Sequence, residues 1–310
     1  MIKNFSYLFS LPILVGIIAG ILFPFQALEL IFLNNFLLFA LLFLNSLSIE
    51  TDRLFTLHNT GWRESLFFLG VNFVFLPCVL INLCQLLLQD SNLIFGFTLS
   101  TLAPTAFVAP YFCKLQNGNA NKSLWYIAVS TFFFPCAIFI YFSLLVDAPF
   151  FINTPSILRL VLLITFLPIL LGLACARLFP VMRGKLYQTA APVNSMILAL
   201  LMFILCGSSL NKFRFSSLQD SNLLILTLLL IILDFGLYYF IKFFASHWFD
   251  TKETNTLAVS VSLKNLAIPA SLLLSFQPKA AIVPALGLIV HAFFFQWLSL
   301  RDRTRKPSGS

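Results

Sequence analysis

Lys264 and Asn265 interrupt the apolar stretch "VSLKNLAIPA" at 261–270, and no other charge occurs between Thr256 and Phe276. An ammonium held away from water is costly unless paired, so a lysine in such a run marks a site. Other polar residues stand in similar settings. Asn72 lies in "GVNFVFLP", Asp234 in "IILDFGLYY", Ser260 four residues before Lys264, and His291 in "IVHAFFFQW". Asp234 is the carboxylate, and Lys264 the cation, nearest the middle of an apolar segment. Opposite charges that can meet do so, which makes Asp234 the expected counter-charge of Lys264. A tie between two helices and a role in coupling account for such a pair equally well. Asn72 and His291 can act as hydrogen-bond links between helices.

Other chemistries lack their residues. The sequence has no nucleophile elbow, phosphate loop or zinc-protease motif, and His58, His247 and His291 are far apart. The six cysteines (Cys78, Cys84, Cys113, Cys136, Cys175, Cys206) form no C-x-x-C pair and read as packing residues. An enzyme and a metal site are therefore not expected.

The elements that must position these side chains follow from composition. Of the 310 residues, 60% are hydrophobic and 10% charged, too few charges to cover a soluble protein. The apolar residues fall in blocks of about 20, the length that spans a bilayer as a helix. Ten such segments are expected, at roughly 6–24, 28–48, 64–88, 92–117, 120–146, 154–179, 187–210, 220–245, 254–276 and 278–300. The fold class is an all-α polytopic membrane protein with no soluble domain. The N-terminal stretch lacks a clear small-x-small cleavage site, so it reads as a helix rather than a signal peptide. The formal charge of +8 does not point to nucleic acid, because the basic residues sit in short loops.

Those loops also orient the chain. With the N-terminus inside, the inner side holds Lys3, Arg53, Arg63, Lys114, Lys122, Arg177, Arg183, Lys185, Lys242, Lys252, Arg301, Arg303, Arg305 and Lys306. The outer side holds Arg159, Lys212, Arg214 and Lys279. Fourteen against four, with Lys264 in the membrane, accounts for all 19 basic residues. Both termini are expected in the cytoplasm, with the protein in the cell (inner) membrane.

"LPILVGIIAGILFP" at 11–24 returns as "LPILLGLACARLFP" at 167–180, with eight of 14 positions identical and a shift of 156 residues. Five segments separate the copies, and an odd number inverts the second. This predicts two inverted five-helix repeats, 1–153 and 154–300, followed by a basic tail, 301–310. Inverted repeats of transporters carry broken helices at corresponding places. Pro104 and Pro110 interrupt the fourth segment; adding 156 takes them to Ser260 and Leu266, beside Lys264, Asn265 and Pro269. Both helices are expected to unwind and to point their half-helix N-termini into a site.

At these residues the chain resembles the bile acid:sodium symporter family. "LAPTAFVAPYFCKLQNGNANKSLWYIAVSTFFFP" is similar to the family's fourth and fifth helices through Pro104, Gly118, Asn119, Ser123, the "VST" at 129–131 (with Ser130 and Thr131) and Pro135. "TLAVSVSLKNLAIP" is similar to its ninth helix through Thr256, Leu257, Val261 and Asn265. "VNFVFLP" and "PALGLIVH" match the third and tenth. The resemblance implies a panel of helices 1, 2, 6 and 7, and a core of helices 3–5 and 8–10 in which helices four and nine unwind and cross. It implies transport of organic anions with sodium. The sodium ligands, however, are altered. Where the family has Ser and Asn on helix four, this chain has Ala109 and Pro110. The helix-five Ser and Thr become Ser123 and Ile127, and the glutamate shared by both sites becomes Ser260. The helix-nine and helix-three glutamines become Lys264 and Asn72. A cation stands where a carboxylate-bound ion is expected, and hard cations need several oxygen ligands.

The resulting expectation is a secondary transporter of small organic anions in the lipid bilayer, working without the usual sodium, with protons as the alternative ion. Its crossover site comprises Pro104, Thr105, Ala109, Pro110, Ser260, Lys264 and Asn265, supported by Asn72, Ser123, Ser130, Thr131, Asp234 and His291. Competing readings are a sodium-coupled symporter with a modified ion site and a non-transporting sensor or partner-binding paralogue. A channel needs a continuous polar stripe, which no segment offers.

The orientation is testable with single cysteines near Ser308 and near Lys212 in a chain freed of native thiols. An impermeant reagent on intact cells is expected to label the second and spare the first.

Overall fold

A computed structural model of the chain describes residues 5–47, 61–144, 159, 161–212 and 220–303. Among these residues every regular element is a helix. Helix α1 is Phe5–Leu22. Short helical turns at Pro24–Glu29 and Ile31–Leu33 lead into α2, Asn34–Leu47. Helix α3 spans Trp62–Leu87. Helices α4 (Ser91–Leu102) and α5 (Ala109–Leu115) are followed by α6 (Ala120–Leu144). Then come α7 (Leu162–Leu178), α8 (Pro180–Lys212) and α9 (Ser221–Ala245). Helices α10 (Thr251–Ser262) and α11 (Ala267–Phe276) precede α12 (Ile282–Arg303).

Trp62–Leu87, Ala120–Phe142, Ser221–Ala245 and Ile282–Arg301 are long and apolar enough to cross a membrane. The outer surface carries large apolar side chains on many helices, among them Leu86 at 81% and Met196 at 74% exposure. Water would penalise such a surface, whereas lipid tails accommodate it, so the exposed face and the helix lengths require the same solvent. The expected segments at 92–117 and 254–276 each form two helices. The predicted start of the sixth segment at 154, the repeat boundary at 153/154 and the end of the basic tail lie outside the described residues.

The duplicated 14-residue motif adopts the same local geometry in both copies. Each ends at a Phe–Pro step, and proline disfavours helical dihedrals in the residue before it. Phe23 accordingly has φ −126° and ψ 56°, and Phe179 has φ −127° and ψ 66°. Their N–H groups bond Ala19 O at 2.8 Å and Cys175 O at 2.9 Å, positions that are themselves 156 apart. In each copy the proline then opens the next helix, where its missing N–H costs nothing.

Helices α1, α2, α7 and α8 pack on one another, α1 along α8 and α2 along α7, and the remaining helices form a second layer. The layers meet where α12 touches α1 and α8 and where α11 touches α2 and α8. Asn34 of α2 links them by bonding Ser271 of α11 at both its carbonyl and its hydroxyl.

Close approach within the first layer rests on glycine. A Cβ at Gly20 would lie 2.7 Å from Phe203 O and 3.0 Å from Gly207 N, both backbone atoms on α8. Small residues of this kind let membrane helices pack backbone to backbone. Gly20→Val is expected to lower stability by about 1–3 kcal/mol, seen as a lower melting temperature in detergent. Gly70→Ala, where nothing lies within 4 Å, is the control and should leave melting unchanged or slightly raised.

Candidate functional site

Two helix interruptions build the site. Helix α4 starts on Asp90, whose side chain accepts from Asn92 N at 2.8 Å. Helix α10 starts on Asp250, 160 positions later, which accepts from Glu253 N at 2.7 Å. Both helices stop after 12 residues, α4 at Leu102 and α10 at Ser262. Ala103, held extended by the following Pro104, leaves α4 with φ −52° and ψ 142°. Leu263 leaves α10 with φ −82° and ψ 92°. Pro110 and Pro269 fall in the first turns of the resuming helices, α5 and α11, where an amide N–H would lack a helical acceptor anyway.

The two extended links cross as an isolated antiparallel bridge between Thr105 and Lys264. Asn265 N donates to Pro104 O, and Ala106 N to Leu263 O, both at 2.7 Å. Thr105 N donates to Ser130 Oγ at 3.0 Å, and Thr105 Oγ1 to Ser260 O at 2.8 Å. Backbone groups that would each cost several kcal/mol unpaired in a membrane are thereby satisfied.

On one side of the crossing the side chains close on themselves. Ser260 Oγ donates to Ser123 Oγ at 3.0 Å, and Cys113 Sγ lies 3.7 Å from Ser260 Oγ. Ser130 Oγ donates to Ile127 O at 3.1 Å while it accepts from Thr105. This cluster offers hydroxyls that already serve one another, a thiol and no carboxylate. Hard cations are usually bound by several oxygen ligands, carboxylates among them.

On the other side, Lys264 is 1% exposed and donates its Nζ to Oδ1 of Asn72. Asn72 sits in a π-helical turn of α3, Val71–Phe75, and Asp234 in a second such turn of α9, Ile232–Gly236. Such bulges turn a helix locally and cluster at functional positions. Asp234 Oδ2 lies 2.8 Å from Nδ1 of His291 on α12.

The expected Lys264–Asp234 pair therefore does not form. The lysine reaches α3 instead, and the carboxylate faces α12 rather than the crossing. Asn72 and His291, expected to be auxiliary, are the actual partners. Lacking a charged partner in contact, the ammonium relies on one charge-assisted hydrogen bond, worth about 1.5–3 kcal/mol.

A cavity of about 160 Å³ opens beside the crossing, between the two layers. Its polar wall has Lys264, Asn265, Tyr111 and His291, and the opposite layer contributes Asn45 and Asn194. Asn194 Nδ2 donates to Asn45 Oδ1 at 3.1 Å. The rest is apolar, including Ile13, Leu41, Phe107, Leu198, Met202 and Phe295. The N-terminus of α11 adjoins this wall through Ala267, whereas α5, with seven residues, is too short for much of a dipole.

Most expected residues thus converge. Pro104, Thr105, Ser123, Ser130, Ser260 and Lys264 hold the crossing, Asn265 and His291 line the cavity, and Ala109 and Pro110 start α5. Thr131 does not join them; its hydroxyl returns to Ile127 O of its own helix at 2.7 Å. Asn45, Asn194, Tyr111 and Cys113 were not foreseen. The two asparagines lie near segment ends, where polar residues usually face water, and only the packing of the layers turns them inward.

Apolar helices of membrane length, two interrupted helices crossing inside the protein and a cavity at the crossing define a membrane transporter. The family model of the SBF-like CPA transporter family matches residues 8–295, and the chain belongs to that family. A comparison with characterised proteins finds no match.

The corrected pairing can be measured by double-mutant cycles on melting in detergent. Lys264→Met and Asn72→Leu should each destabilise by about 1.5–3 kcal/mol and, combined, by clearly less than their sum. The cycle between Lys264 and Asp234, which interact through space without contact, should show weaker coupling.

Proposed function

We propose that the protein is a secondary transporter of small organic anions that works without sodium, with Lys264 as a built-in cation at the crossing. The observation that carries this reading is the Lys264 ammonium, hydrogen-bonded to Asn72, on the wall of the cavity where two broken helices cross. A fixed positive charge together with the α11 N-terminus favours a carboxylate or sulfonate. The apolar belt suits a compact hydrocarbon body.

Several features support two inverted five-helix repeats as the frame for alternating access. The Phe23 and Phe179 steps match, the Asp90 and Asp250 caps lie 160 apart, and the contacts of α1 with α8 and α7 with α2 exchange under a two-fold axis. In this frame the layer of α1, α2, α7 and α8 is a panel, against which the remaining helices rock as a core. Both termini are cytoplasmic, as the distribution of basic residues favours.

Sodium independence follows from the closed Ser123–Ser260 cluster and the absence of a carboxylate there. Uptake into liposomes is expected to proceed equally with sodium or with choline at fixed ionic strength, across a panel of small carboxylates and sulfonates. A steep, saturable sodium requirement would contradict the reading.

A further inference from the structure

His291 and Asp234 take no part in the crossing, yet both are buried, at 2% and 1% exposure. Their contact is Nδ1 to Oδ2 at 2.8 Å. His291 also forms part of the cavity wall; among the described residues the 2.8 Å approach is an ion-pair contact rather than a well-aligned hydrogen bond, and neither ring nitrogen has another partner. A histidine that donates Nδ1–H to a carboxylate presents the Nε2 lone pair as a base. The π-helical turn at Ile232–Gly236 brings the carboxylate to this position on α9.

We infer that His291, oriented by Asp234, is the binding site of a co-transported proton, so that each organic monoanion moves with one proton. This rests on the anion-transport reading above.

Charge balance leads to the same assignment. With Lys264 taken as an ammonium, Asp234 as a carboxylate and His291 as a neutral imidazole, the empty site sums to zero. A bound monoanion alone leaves one uncompensated negative charge in a low-dielectric interior, which disfavours reorientation. A proton taken from water onto Nε2 makes the imidazolium and restores zero, with Asp234 still accepting from Nδ1. On the opposite side the Nε2–H bond breaks, the proton returns to water, and the anion leaves. No oxidation state changes and no further reactant is needed.

The surroundings isolate this pair. Asp234 from α9 contacts His291, and the titratable side chains that line the cavity with it are Lys264 from the crossing and Tyr111 from α5. Helices α4 and α11 carry no titratable side chain. The cavity residues of α1 and α8 are Ile13, Asn194, Leu198 and Met202. Lys264 is already committed to Asn72, which leaves the imidazole as the free base.

The test uses purified full-length protein in sodium-free liposomes that contain a pH-sensitive dye, with cyclohexanesulfonate outside. This anion is permanently ionised and cannot cross as a neutral acid. Uptake accompanied by acidification of the lumen, and accelerated at least tenfold by an inward proton gradient, is the expected result. His291→Gln and Asp234→Asn should each lose at least tenfold of that gradient-driven accumulation. Uptake with no acidification would overturn the proton site and leave the anion reading standing. If this sulfonate is not taken up, the anion reading fails for it, and nitrogen NMR of labelled His291, with His58 and His247 replaced by Gln, decides the proton site separately. An imidazole that gains a proton between pH 9 and pH 5 supports the site, and one that keeps a single charge state throughout overturns it.

Discussion

Backbone amides in a membrane interior need partners, and the whole site is organised by how two interrupted helices supply them to each other. The links after Leu102 and Ser262 give up their helical bonds, and each recovers them from the other, through Pro104 O with Asn265 N and Leu263 O with Ala106 N. An unpaired amide there costs several kcal/mol, so neither interruption is stable alone. The crossing is thus a mutual structure. It fixes the direction in which Lys264 leaves the chain, and with it the wall of the cavity.

The consequence is a different solution to a common electrostatic problem. Under the proposed anion-transport reading, a bound anion needs positive charge at the crossing. A mobile ion can provide it, at the cost of an ion-dependent site. In the proposed reading the charge is covalently attached, on Lys264. Lys264 reaches α3, where the π-helical turn presents Asn72, while Ser260 and Ser123 satisfy each other. A lysine held by one neutral amide is only marginally compensated, which keeps its charge available to a ligand in the cavity. Asp234 contacts His291 rather than Lys264, so the two charges act on each other through space and not as a direct salt bridge.

Much of this was legible in the sequence because membrane helices write their constraints plainly. Prolines 104 and 110, with the polar interruption at 264–265, marked both breaks, and the motif shared by 11–24 and 167–180 placed them in relation. The partner of Lys264 was not legible. Pairing by charge alone favoured Asp234, but π-helical turns at 71–75 and 232–236 rotate Asn72 toward the lysine and Asp234 toward His291. A π-helical turn inside a helix has no simple residue pattern. Asn45 and Asn194 were hidden for another reason: their role depends on the approach of two layers, and Asn194 meets Asn45 across 149 positions.

In the proposed reading the ammonium of Lys264 does the work of a bound cation. Chemical rescue tests it most directly, by following anion uptake into sodium-free liposomes containing Lys264→Ala, with and without propylammonium. Uptake is expected to be lost in the variant and to recover in part when the small ammonium fills the vacated space. Undiminished uptake by Lys264→Ala with no added cation would contradict it.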